Sequence, residues 1–215
     1  MKFIVEEPFK ITTDFWESRP LSIDYSKRTH PHAAWDIKSL GYGQVPYVAP
    51  EPGKAYYWFS VRAPGGDHVP VKWPDGKPFA FQYYTYDIYG CVVVLEGQSG
   101  HTHVFCHSFI NQIFNGRFMK RDAIVYQEQS EKLPFPSMAF HTLNTARIVD
   151  KGEVLGYIGD AGYSQAPHVH YELHIGKDYI PYLKRPDPID LFPDVWEQHK
   201  TDLTYDWEKE RKRWS

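Results

Sequence analysis

Along most of this chain, apolar and polar positions alternate every second residue or apolar residues gather in short β-branched runs; a helical period appears only near the C-terminal end. The pattern predicts strands. Its clearest instance is CVVVLEGQSGHTHVFCHS, residues 91–108, where a β-branched run, a polar turn bounded by Gly97 and Gly100, and an alternating run predict a hairpin. Residues 149–176, VDKGEVLGYIGDAGYSQAPHVHYELHIG, predict a turn, a strand, a Gly-rich loop and a final strand. Residues 29–53 predict two short strands with turns, and residues 1–28, which alternate poorly, an edge strand and loop wrapping the domain. In the tail, residues 194–215, Trp196, Leu203, Trp207 and Trp214 recur at helix-like spacing among charges, which predicts one surface helix docked on the domain.

Composition sharpens this into a mostly β, antiparallel protein. Sixteen Tyr, thirteen Phe and seven Trp beside 17 Pro and 15 Gly suit strands and loops with aromatic walls better than a helix bundle. The aromatics crowd into residues 54–90, read as hairpins, while the charged, Pro-punctuated residues 109–147 read as an inserted excursion. The resulting division is a wrapping segment over 1–28, one domain over 29–193 with these two insertions, and the tail over 194–215.

A formal charge of -3 supplies no basic field, which argues against nucleic acid as a partner. The N-terminal MKFIVEEPFK lacks the apolar core of a signal peptide, and no window is long and apolar enough to span a membrane, so a soluble protein without a visible export signal is expected. Two cysteines, Cys91 and Cys106, exclude a disulfide framework or a four-cysteine zinc site. A bridge across the hairpin is geometrically open, but two half-buried thiols are the expectation.

The chemistry lies in the histidines. His168 and His170 are two apart, so on a strand they project from one face with Cα atoms roughly 6.6 Å apart. Buried imidazoles need partners for their nitrogens, and a metal or a polarised water serves both. His32 and Asp36 are four apart, about 13 Å on a straight strand, so the backbone must bend between them; Ala33 and Ala34 are small enough to permit it. Two His and one carboxylate with a fourth position left to water form the ligand set of a hydrolytic zinc site. His30, His68, His101, His103, His141, His174 and His199 are assigned no role, although strand parity links His103 to His107 and His174 to His170 as supporting groups.

HAAWDI followed by GQVPYVAPEPG, then VVVLEGQSGHTHVFCHS, then VDKGEVLGYIGDAGYSQAPHVHYEL resembles, in order, the motif blocks of the lysostaphin-type (LytM-like) zinc metalloendopeptidases. About a third of the chain carries the resemblance. It implies the barrel-sandwich hybrid (duplicated hybrid motif) fold, zinc held by His32, Asp36 and His170, and His107 and His168 acting on the water and the oxyanion. It also implies peptidoglycan stem peptides or cross-bridges as substrate. Phe105 and Cys106 depart from the family's usual Tyr-Ala before the catalytic histidine.

Two other readings compete. A non-haem iron oxygenase also uses two His and a carboxylate, but with a shorter His-to-carboxylate spacing, and it would leave the closing His-x-His without a role. A metal-stabilised structural or wall-binding protein, such as a phage virion component, would be expected to lose a ligand, whereas all five positions are filled. Without an export signal, delivery by a phage is the hypothesis, with the C-terminal tail as the surface for a virion or oligomer partner.

Overall fold

The strand Val169–Ile175, the last among the described residues, shows how the sequence sorts its side chains. In VHYELHI, Val169 and Tyr171 enter the apolar core, and the intervening His170, Glu172 and His174 project from the opposite face, as a two-residue period requires. The computed structural model describes residues 1–6, 8–20, 29–40, 45–59, 92–108, 141–142, 147–160, 164, 166–176 and 184–214.

Twelve strands are present among the described residues: β1 (Phe9–Thr13), β2 (Ser18–Pro20), β3 (Thr29–Pro31), β4 (Trp35–Ser39), β5 (Pro46–Val48), β6 (Gly53–Phe59), β7 (Val92–Gly97), β8 (His101–Cys106), β9 (His141–Thr142), β10 (Arg147–Val149), β11 (Val154–Tyr157) and β12 (Val169–Ile175). An eight-stranded sheet runs β1-β4-β12-β8-β7-β6-β10, with β9 also on β6; β5 pairs with β11 and β2 with β3. All of these pairings are antiparallel, so the fold class is the one the alternation predicts.

Cross-strand partners carry the core from edge to centre. Ile11 faces Ile37, Ile37 faces Val169, and Tyr171 faces Phe105, which faces Val93 in turn. All six are buried in one cluster with Tyr47, Leu155, Phe192 and Trp196, and each large side chain so buried contributes about 1.5–3 kcal/mol. The sheet's second face is thereby left to the polar members of β4 and β12.

Three details differ from expectation. Residues 29–53 hold β3, β4, β5 and the start of β6 rather than two strands. The tail forms two helices, α1 (Pro193–His199) and α2 (Trp207–Trp214), not one. A 3-10 turn over Lys200–Asp202 ends with Leu203 extended (φ −69°, ψ 137°), and Asp206 Oδ1 accepts from Lys209 N at 3.1 Å to open the second helix. Finally, Cys106, a free thiol as expected, is fully rather than half buried; Cys91 lies outside the described residues, as do His68 and most of both insertions (within 60–90 and 109–146).

Candidate metal centre

Asp36 and His170 are direct partners across β4 and β12, so the pairing register alone sets a carboxylate beside an imidazole. His32 reaches them by a bend. Ala33 takes φ +60°, a left-handed conformation costing a non-glycine residue roughly 1–2 kcal/mol, and the four-residue spacing closes until His32 Nε2 lies 3.4 Å from Asp36 Oδ1. The loop after β1 pins the bend: Glu17 O accepts from His32 N at 2.8 Å and Phe15 O from Ala33 N at 2.9 Å.

His170 Nδ1 completes the triangle, 3.1 Å from His32 Nε2 and 3.0 Å from Asp36 Oδ1. Ligand atoms about 2.0–2.1 Å from a tetrahedral zinc are about 3.3 Å from one another, close to these three edges. The outer partners fix which ring nitrogens carry protons. His32 Nδ1 lies 3.2 Å from Asp14 O, and His170 Nε2 lies 2.9 Å from Glu172 Oε1, and in each pair only the ring nitrogen can donate. Neutral rings so bonded turn lone pairs inward at His32 Nε2 and His170 Nδ1, facing a carboxylate oxygen. Three lone pairs at this separation repel one another unless a cation lies between them, so the residues fit a metal.

The electrostatics agree. Burial holds His170 protonation down to about 3 against the pull of Asp36, so the ring is neutral at ordinary pH. Burial opposes ionisation of Asp36, but positive charge at His32 and a proton shared from His170 would hold the carboxyl well below its usual range; with both rings neutral and their lone pairs inward, that charge falls to a bound cation. Glu172 is likewise kept ionised against burial, by Arg185 first and then His174. Its Oε2 accepts from Arg185 Nη1 at 2.8 Å and lies 2.9 Å from His174 Nε2. All of these groups are buried, so the network fixes the His170 ring firmly.

The two remaining histidines stand beside the triangle. His168, just before β12, has its ring centre 4.7 Å from that of His107, and His107 lies 6.0 Å from His170. His168 Nδ1 lies 2.8 Å from Ala166 O and therefore donates, leaving Nε2 as a lone pair 3.7 Å from Asp36 Oδ1. His107 follows β8 at φ +63°, and this turn breaks the strand's alternation. His103 consequently does not support His107: it lies on the core face, 2.8 Å from both Tyr171 Oη and Glu51 Oε1. His174, by contrast, supports His170 through Glu172.

The structure thus brings together all five histidine and aspartate positions singled out from sequence. Glu172 and Arg185 were missed. Glu172 was legible, being two residues beyond His170 on the same strand face; Arg185 joins it only through the fold. Among the described residues, His32, Asp36 and His170 form the one cluster with metal-ligand geometry.

No family model matches the sequence, and no curated protein does. The structure is similar to solved structures of zinc and M23-type peptidases, all at low identity. One is the catalytic domain of lysostaphin from Staphylococcus simulans, 16% identical, with 88% of this chain and 92% of that one covered at a TM-score of 0.42. A second is the catalytic domain of the prophage-encoded M23 protein EnpA from Enterococcus faecalis, 17% identical, with 82% and 91% covered at a TM-score of 0.42. A third is a zinc-containing peptidase from Vibrio cholerae, 14% identical at a TM-score of 0.45; 86% of this chain is covered but only 39% of that longer one. At such identities the functional reading rests on the side chains.

Proposed function

We propose that this chain is a zinc-dependent endopeptidase that hydrolyses peptide bonds in peptidoglycan stem peptides or cross-bridges. The observation that carries the metallopeptidase reading is the triangle of inward lone pairs on His32, Asp36 and His170, with two further histidines at its side. The wall substrate comes from the sequence resemblance. Zinc held by these three residues supplies a Lewis acid that polarises a carbonyl and lowers the pKa of a water.

His168 has its Nε2 lone pair turned toward the centre and takes the proton of the attacking water, then returns it to the departing amine. His107, buried beside it, donates to the oxyanion that develops on the carbonyl oxygen. Burial keeps His170 neutral, and Glu172 keeps it aligned. The products are a new carboxylate and a new amine, one water being consumed.

The test is incubation of purified protein with cell walls, and with a peptide carrying stem and cross-bridge, with and without a chelator, while counting new amino groups. Zinc-dependent release supports the proposal. Release that persists after complete metal removal, or none from zinc-loaded protein, overturns it, and the second outcome favours a structural, metal-stabilised role.

A further inference from the structure

We infer that the C-terminal segment 203–214 is a latch on the metal centre: through Tyr205 it holds the loop whose carbonyl fixes the orientation and tautomer of His32. The inference rests on the metallopeptidase reading above and deepens it.

The argument starts at the loop after β1. Asp14 Oδ1 accepts from Trp16 N at 3.2 Å and from Glu17 N at 3.1 Å, folding residues 14–17 into a tight turn. Three carbonyls of that turn bind residues 32 and 33: those of Asp14, Phe15 and Glu17. Only the first meets the imidazole itself, and it dictates that Nδ1 carries the proton and Nε2 faces Asp36 and His170. Whatever sets the position of Asp14 therefore sets His32.

Tyr205 does so twice. Its hydroxyl accepts from Asp14 N at 3.0 Å and donates to Asp14 Oδ1, grasping main chain and side chain of one residue 191 positions away. The far end of the turn is held as well, since Ser18 Oγ donates to Glu210 and accepts from Arg213 Nη1 at 3.1 Å. Trp207 seats the segment by meeting Trp196 edge to face at 5.2 Å, and Trp196 stacks at 6.0 Å on Trp35, the residue before Asp36. The tail thus grips both ends of the turn beneath one ligand and rests against the strand bearing another.

Tyr205→Phe removes one oxygen and keeps the ring. Zinc and cobalt(II) affinity are expected to fall about 10-fold, as when an outer partner of a ligating histidine is lost, with an altered visible spectrum of the cobalt-loaded protein. The metal-free melting temperature should fall modestly, because two hydrogen bonds to Asp14 are lost. Ser18→Ala, which frees only the far end of the turn from the tail, should lower affinity as well, by less than Tyr205→Phe does. If unmutated protein binds neither metal, the metallopeptidase reading fails and takes the latch with it. If it binds and Tyr205→Phe matches it in affinity and spectrum, or loses less than Ser18→Ala, the latch alone is wrong. Should Tyr205→Phe not fold, nitrogen NMR of metal-free unmutated protein decides: His32 protonated at Nδ1 supports the inference, and protonation at Nε2 overturns it.

Discussion

Nδ1 of His170 lies 3.0 Å from Oδ1 of Asp36, and the two residues are direct partners across β12 and β4 of the main sheet. Their closeness is a property of strand register, so the two groups that most need a shared cation meet as soon as the sheet forms.

Zinc should therefore stabilise the fold. At a free concentration about 100-fold above its dissociation constant, one bound ion adds about 2.7 kcal/mol. Thermal unfolding with and without zinc measures this. His170→Ala and Asp36→Ala should lose the shift; equal shifts in these variants would place the ion elsewhere.

Glu172 acts on His170 and Arg185 at once, and its substitutions should separate the two. Glu172→Gln keeps an acceptor of the same shape but not the charge, and zinc affinity is expected to fall about 10- to 100-fold. Glu172→Ala removes the carboxylate paired with a buried guanidinium and should cost about 3–5 kcal/mol in urea unfolding. Wild-type zinc affinity in both variants would remove Glu172 from the centre's design.

Asp187 lines the seam between the tail and the domain, where burial, with Asp14 and Asp190 adding to it, pushes its carboxyl up to about 7. The folded protein holds this proton more tightly than the unfolded chain does. Its contribution thus favours folding below about pH 4 and is withdrawn as the pH climbs through 7. Asp187→Asn retains the Oδ1 that accepts from Ile189 N, and should raise stability at pH 8 by on the order of 2 kcal/mol while changing little at pH 4. Melting curves at the two pH values check this; the same change at both would show that charge is not the cause.

Gly53 has no room for a side chain, because a Cβ there would stand 2.3 Å from the main-chain oxygen of Glu96. Gly53→Ala must displace β6 from β7 and is expected to cost about 2–4 kcal/mol, with the loss visible in chemical denaturation. A cost under about half a kcal/mol would mean that the strands give way freely.

Much of this was legible in the sequence because its main signals are local. A two-residue alternation in HTHVFC and VHYELHI sorts core from site, and the spacing of His32 and Asp36 demands a bend that Ala33 supplies. Other features are invisible for a physical reason. The left-handed turn at His107 contradicts the parity of β8, so the parity that links His103 to His107 does not carry His103 to the site. Arg185 meets Glu172, and Tyr205 meets Asp14, only through tertiary packing that no period encodes. The break between the two tail helices lies in the cap at Asp206, a local competitor that the tryptophan spacing hid.

β12 has a paired neighbour on each side, β4 and β8, at His170 and Tyr171. The amide of Tyr171 can then exchange with deuterium only when the sheet opens, at the free energy of global unfolding. The platform of the centre is rigid by construction. Any motion near the centre must fall to the segments outside that sheet, Ser164 and Ala166 among them.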